Sequence, residues 1–261
     1  MEFLNKNILI TGGGSGFGLA CAQQFASLGG RVILVDRQEQ RSKEVLASLE
    51  SPAGVEHFAV VRDLRPSEAA QSAVSEALDK AGSIDVLVSS AGVCHFNNIH
   101  TITAEEWDEV LEIDLRSLFF IGVAAGEAMK SEGSGGSIIN LASNASRKGR
   151  ALSAHYAAAK AGVVSVSESL ALAYGPSNIR VNTVSPAVVI TPMWEQNFAE
   201  LARITGKTAE QLAEVWTSQT PLRRLGKAED IANLIIFLAG PKAEFITGQH
   251  INVCGGFMHT C

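Results

Sequence analysis

The stretch "NILITGGGSGFGLACAQQFAS", residues 7 to 27, decides the fold. An apolar run, "NILIT", leads into the glycine turn "TGGGSGFG" (11 to 18), and residues 17 to 28 then have helical composition. A glycine string alone is a weak signal, because glycine serves any tight turn. The order strand, glycine turn, helix is more telling. It lets the main chain approach a pyrophosphate closely and sets the anion at the positive end of a helix. Asp36 ends the next apolar run, 24 residues after Gly12. A carboxylate there can bind the two adenosine ribose hydroxyls and repel a 2′-phosphate, which favours NAD over NADP. Two other readings stay open: Asp36 as a plain strand-end cap, and Arg37 beside it as an attractor for a 2′-phosphate. A nucleoside-triphosphate loop is disfavoured, since no Lys-Ser/Thr follows the glycines.

The same rhythm continues along the chain. Short apolar, β-branched runs recur at "RVILV" (31 to 35), "HFAVV" (57 to 61), "DVLVS" (85 to 89), "SIINLA" (137 to 142), "IRVNTV" (179 to 184) and "HINV" (250 to 253). Their near-continuous hydrophobicity predicts strands covered on both faces, as in a parallel sheet. Helices are predicted near 67 to 81, 104 to 130, 151 to 174 and 228 to 239, with a capping box from Thr103 to Glu106. The alternation gives an α/β fold, a single-domain, doubly wound parallel sheet of about seven strands over residues 1 to 261. Residues 188 to 225 interrupt it. They look helical, with Trp194, Phe198, Leu201, Leu212, Val215 and Trp216 available either to cap the core or to line a pocket. Their place after a strand's carboxyl end predicts a helical lid.

Composition narrows the partners. The chain has 261 residues, 46% hydrophobic and 18% charged, which suits one large domain. A net charge of -6 argues against nucleic acid and anionic membranes, so the expected partners are small molecules. Cys21, Cys94, Cys254 and Cys261 are scattered without a CxxC pair. Neither a disulfide framework nor a metal site is expected, and a cytoplasmic location fits. The apolar windows 118 to 126 and 231 to 240 fall short of the ~20 residues of a membrane span, and the N-terminal run is too short for a signal segment.

A second motif, "HYAAAKAG" (155 to 162), places Tyr156 and Lys160 one helical turn apart. Alone this would be a chance pair. Together with "TGGGSGFG", "SSAG" (89 to 92), Ser143 after the fifth strand, "NTVSPAVVITPM" (182 to 193) and "ITGQHINVCGG" (246 to 256), it makes the chain resemble the short-chain dehydrogenase/reductase family over essentially its whole length. The resemblance implies a Rossmann-type fold, usually tetrameric, that moves a hydride between an alcohol and a nicotinamide. Tyr156 would then be the acid/base. A free tyrosine, with pKa ≈ 10, is a poor base, and Lys160 would lower it while hydrogen-bonding the nicotinamide ribose. Ser143 would hydrogen-bond the reacting oxygen. The implied cofactor contacts are Gly12, Ser15, Gly16, Phe17, Gly18, Asp36, Arg37, Asp63, Leu64, Ala91, Gly92, Pro186, Val189 and Thr191, besides Tyr156 and Lys160.

This chain also departs from the family pattern. "SSAG" replaces Asn-Asn-Ala-Gly, Ala187 stands where a glycine usually follows the proline, and Asp114 occupies the place of the asparagine that completes the catalytic tetrad. The wording of the lid resembles that of members acting on small polyols, diols and sugar alcohols. Substrate contacts are expected from Ser143, Asn144, Ala145, His155, Tyr156, Val188 and Trp194. No cationic cluster for a phosphate or CoA is obvious among these, although Arg147, Lys148 and Arg150 on the loop before Tyr156 could meet one. Two alternatives remain, a ketoacyl or cyclic-ketone reductase and a non-catalytic NAD-sensing protein.

Overall fold

Residues with one apolar side chain up and the next down can be buried on both faces of a sheet, and the strands do this. Ile8, Ile10, Val32, Leu34, Val86, Val88 and Ile139 face one core, while Leu9, Ile33, Val35, Leu87 and Ile138 face the other. The computed structural model describes residues 2–258 and shows one parallel sheet of seven strands among them, in the order β3-β2-β1-β4-β5-β6-β7. The strands are β1 (Asn7–Thr11), β2 (Arg31–Asp36), β3 (Phe58–Val61), β4 (Val86–Ser89), β5 (Gly136–Leu141), β6 (Ile179–Pro186) and β7 (His250–Val253). The single-domain doubly wound expectation holds. Cys261 lies outside the described residues.

Helices cover both faces. On one side α1 (Gly16–Ser27), α2 (Glu39–Ser48) and α9 (Ala228–Ala239) pack through Cys21, Phe25, Val45, Ile231 and Ile235. On the other, α3 (Ser67–Ala81), α5 (Ser117–Glu132) and α6 (Ala154–Tyr174) pack through Ala73, Ala77, Ile121, Met129 and Leu170. Each such buried Leu, Ile or Phe contributes about 1.5–3 kcal/mol of transfer free energy. Helix α2 has no counterpart in the sequence reading. Its segment is polar and buries Ser42 and Val45, so its apolar period is too thin to read.

The helix expected over 104 to 130 is three pieces: α4 (Ala104–Leu111), a π-helical turn at Glu112–Arg116, and α5. The capping box that starts it is as expected, with Thr103 Oγ1 accepting from the Glu106 N–H at 3.2 Å and Glu106 accepting from the Thr103 N–H at 3.1 Å. The π turn inserts one residue into the helical ladder, a distortion concentrated at functional sites. Here it carries Asp114.

The order in which strands are added reverses between β1 and β4, with β2 and β3 on one side and β5 to β7 on the other. Ligands of open α/β sheets bind above this point, at the carboxyl ends of the strands. Two glycines there have steric reasons. Gly12 has φ +66, and an added Cβ would stand 2.8 Å from Ala91 Cα. A Cβ on Gly18 would stand 2.3 Å from the Gly12 carbonyl oxygen, so α1 packs main chain to main chain against the turn. Gly18→Ala is therefore expected to cost about 1–3 kcal/mol of stability, the scale of overpacking. Cofactor affinity should fall with it. Thermal melting and cofactor titration check this, and an unmoved melting curve would contradict the close contact.

Candidate active site

The glycine turn and the tips of β2, β3 and β4 enclose a cleft of about 220 Å³. Of the residues expected against a cofactor, Gly12, Ser15, Gly16, Phe17, Asp36, Arg37, Asp63, Leu64, Ala91, Gly92 and Thr191 line it. Ser15 caps α1 without a side-chain bond to the first-turn amides, and that turn holds no acidic residue. Its N–H groups and the positive helix end therefore remain free for an anion. Asp36 is held ready. Its Oδ2 accepts from the Gly14 N–H at 3.0 Å and its Oδ1 from the Gln38 N–H at 2.9 Å. Arg62 and Arg65 join Arg37 in the wall, paired respectively with Glu76 at 3.0 Å and with Asp63.

Five of the expected contacts do not line this cleft: Gly18, Pro186, Val189, Tyr156 and Lys160. Gly18 lies beneath the turn against Gly12. Pro186 borders a second cavity instead. Val189 lines neither, because its side chain is buried in the core with Ile231 and its main chain bridges to Gly226. Any cofactor contact of Val189 would have to use its backbone.

The second cavity, of about 120 Å³, adjoins the first and shares Phe17, Thr191 and Met193 with it. Ser143, Asn144, Ala145, Tyr156, Val188 and Trp194 line it, as expected of a substrate site. His155 does not. Adjacent residues on a helix point roughly 100° apart, so the turn that aims Tyr156 at the cavity buries His155 fully, on the side influenced by His95, Glu106 and Glu200. The opposite wall is aromatic: Trp194 stands 5.1 Å from Trp216, 5.7 Å from Phe198 and 6.1 Å from Phe96, centroid to centroid.

Sequence reading missed Cys94, Phe96, Asn197 and Phe257, which also line this cavity. Cys94 and Phe96 carried one signal, their place just past a strand's carboxyl end. Asn197 carried none, because it enters from a helix of the 188 to 225 segment whose packing no motif specifies. Helices α7 (Pro192–Thr205) and α8 (Ala209–Gln219) make up the helical part of the predicted lid segment. Helix α7 is tied to the loop after β4: Glu200 accepts from the Phe96 N–H at 2.8 Å, and Arg203 donates to Asn97 at 3.1 Å.

Below the cavity lies a buried ion pair. Lys160, 4% exposed, donates to the Leu141 carbonyl at 3.0 Å and meets Asp114 Oδ2 at 3.0 Å. Asp114 is fully buried, and its Oδ1 accepts from the Val93 N–H at 2.7 Å. Both its oxygens face donors, as the ionised form requires. Burial pushes its carboxyl above the usual range, and the Lys160 ammonium opposes that. The Lys160 ammonium is 5.6 Å from the Tyr156 ring centre. Burial drives the Tyr156 hydroxyl well above its ordinary pKa, and the negative charge of Asp114 adds to this. A hydrogen bond with Ser143 and the Arg150 guanidinium work the other way. The strand brace that "SSAG" lacks comes from β1, where the Thr11 hydroxyl accepts from the Ser90 and Ala91 N–H groups at 3.1 and 3.2 Å. Ser89 Oγ itself is buried without a partner.

A switch-point cleft beside a tyrosine-bearing cavity defines a nicotinamide-dependent oxidoreductase class. Comparison with known proteins agrees. Residues 12–258 match the family model described as enoyl-(acyl carrier protein) reductase. The chain is 37% identical to galactitol 2-dehydrogenase of Agrobacterium fabrum over 257 residues, covering 98% of each. It is 32% identical to L-rhamnose 1-dehydrogenase (NAD(P)(+)) of Azotobacter vinelandii over 259 residues, again 98% of each. The crystal structure of levodione reductase superposes with a TM-score of 0.91 at 30% identity, covering 97% of this chain and 98% of that one. The chain belongs to the short-chain dehydrogenase/reductase family and is an oxidoreductase acting on CH–OH groups with a nicotinamide cofactor. None of its described helices is long and apolar enough to cross a membrane.

Proposed function

We propose that the protein is NAD-dependent and interconverts a secondary alcohol and a ketone on a small polyol, diol or sugar alcohol. The observation that carries this is the meeting of the two cavities, with Asp36 at the far end of one and Ser143 and Tyr156 in the wall of the other. The residues present fit the cofactor: the uncapped first turn of α1 suits its pyrophosphate, and the pre-oriented Asp36 suits its adenosine ribose. When bound, it supplies the hydride acceptor. Ser143 holds the substrate oxygen, Tyr156 takes the hydroxyl proton, and Lys160 with Asp114 holds the charge balance beneath the ring. Residues 188 to 225 act as the lid that excludes water.

Several features support a small, multiply hydroxylated substrate. The cavity is comparable to one that holds a benzene-sized molecule. Asn197 Oδ1 is buried without a donor, which a substrate hydroxyl would supply. The aromatic wall offers a face to C–H edges. The name of galactitol 2-dehydrogenase points the same way. The test is NAD reduction by the purified protein across neutral polyols and diols, and no turnover of any would sink the reading.

Asp36→Ala should raise KM for NAD and shift preference toward NADP, since Arg37, Arg62 and Arg65 remain to receive a phosphate. Measuring kcat/KM with both cofactors checks it. A wild type that already prefers NADP would overturn the role given to Asp36. We further propose a homotetramer in the cytoplasm. Exposed Phe119, Phe120 and Leu172 on α5 and α6 offer apolar surface for helix packing between subunits. Light scattering of the purified protein tests the assembly. The free thiols of Cys21, Cys94 and Cys254 suit a reducing compartment.

A further inference from the structure

We propose that, among small polyols and diols, the protein favours those that carry a carboxylate, received inside the smaller cavity by the guanidinium of Arg150, so that short hydroxy acids are preferred over their neutral counterparts. This rests on reading that cavity as the substrate site, and it deepens that reading. Arg150 enters the wall beside Tyr156 from the loop between β5 and α6. Its guanidinium is partly buried, and burial holds its pKa below the ordinary value, but an arginine in a protein stays charged. A buried charge is costly unless paired. Among the described residues, Lys160 is answered by Asp114, Arg62 by Glu76 and Arg224 by Asp230, whereas the Arg150 guanidinium has no ion-pair or hydrogen-bond partner.

The neighbouring cations do not share this place. Arg147 donates to the His250 carbonyl at 3.3 Å, and Lys148 is exposed outside the cavity wall. Among the described residues no Asp or Glu lines the cavity, and the Asp114 carboxylate beneath it is paired with Lys160. A guanidinium fork matches a carboxylate in two parallel hydrogen bonds. The cavity of about 120 Å³ limits the rest of the molecule to a few carbons. Chemically the carboxylate would be a spectator: bound NAD would supply the hydride acceptor, Tyr156 would take the hydroxyl proton, and a keto acid would result.

Two measurements test this. In the first, tryptophan fluorescence of the whole protein, with and without NAD, follows titration by butanoate and by its neutral isostere butanamide, neither of which can be oxidised. Butanoate should bind at least about tenfold tighter, the scale of a hydrogen bond to a charged group. Arg150→Gln should remove the difference. Equal affinities in the wild type, or a difference that survives Arg150→Gln, would overturn the proposal. In the second, kcat/KM is compared for threonate against threitol and for glycerate against glycerol. The wild type should favour each acid, and Arg150→Gln should lower the acid-to-neutral ratio about tenfold, mainly through KM. If both rates fall and the ratio stays, Arg150 acts on Tyr156 and the carboxylate site is wrong. If no alcohol or acid turns over while butanoate still outbinds butanamide, the functional reading fails and the anion site stands.

Discussion

Tyr156→Phe is expected to lose at least ~10²-fold in kcat, the usual scale of general acid–base catalysis, while still binding NADH. The phenol is the proposed proton acceptor: its ring lines the cavity with Ser143, and among the described lining residues it is the one phenol, the other hydroxyls of Ser143, Ser153 and Thr191 being far weaker acids. Without it the alcohol proton has no route, although the cofactor cleft is untouched because Tyr156 is not part of its wall. Steady-state rates with the best alcohol, alongside NADH titration, separate the two effects. Near-normal turnover would remove Tyr156 from its role. Loss of NADH binding along with turnover would show that the substitution disturbed the fold instead.

The second large effect is expected at Asp114. Replacing it with alanine leaves the Lys160 ammonium buried with the Leu141 carbonyl alone, and leaves the Val93 N–H without an acceptor. Breaking a buried pair from one side costs on the order of 3–5 kcal/mol. Asp114→Ala should therefore unfold at much lower denaturant concentration than the wild type, a shift read from equilibrium unfolding curves. Asp114→Asn separates charge from shape. Its amide oxygen can still accept from Val93 or Lys160, so most of the stability should remain.

The asparagine variant has a pH consequence whose sign follows from the electrostatics. The negative charge of Asp114 raises the pKa of Tyr156. Alcohol oxidation needs the deprotonated tyrosine, so activity rises with pH through that pKa. Removing the charge lowers the pKa and moves the acid limb of kcat/KM to lower pH. An unmoved limb would mean that position 114 acts through its main chain alone. A limb displaced to higher pH would contradict the electrostatic account.

The proposed reacting pair stood out because it is local: Tyr156 and Lys160 share one helical face, and a spacing of four residues encodes that without any tertiary information. The same holds for the glycine turn, where strand, turn and helix follow one another directly, and for the capping box at Thr103. Helix α2 was hidden because its stability comes from lying on the sheet and its sequence is polar, with little apolar period of its own. His155 was misplaced for a related reason. Its neighbour's role made it look like a substrate contact, but one step along a helix turns a side chain to another face, here into the packing against the loop after β4.

What the sequence by itself determined is the order of strands and helices, the glycine turn after β1, the place of Asp36 at the end of β2, and the shared helical face of Tyr156 and Lys160, since each depends on residues close together in the chain. What only the tertiary structure decided is where charges end up. Asp114 and Lys160 are 46 positions apart, and their 3.0 Å contact exists because a π turn and α6 are packed against each other beneath the cavity. Arg150 stood in the sequence among three basic residues of one loop, and nothing local distinguished them. Folding turns Arg147 to a backbone carbonyl and leaves Lys148 at the surface, while Arg150 stands against the cavity beside Tyr156. Burial, which sets the energy of a charge, depends on what the rest of the chain packs around it.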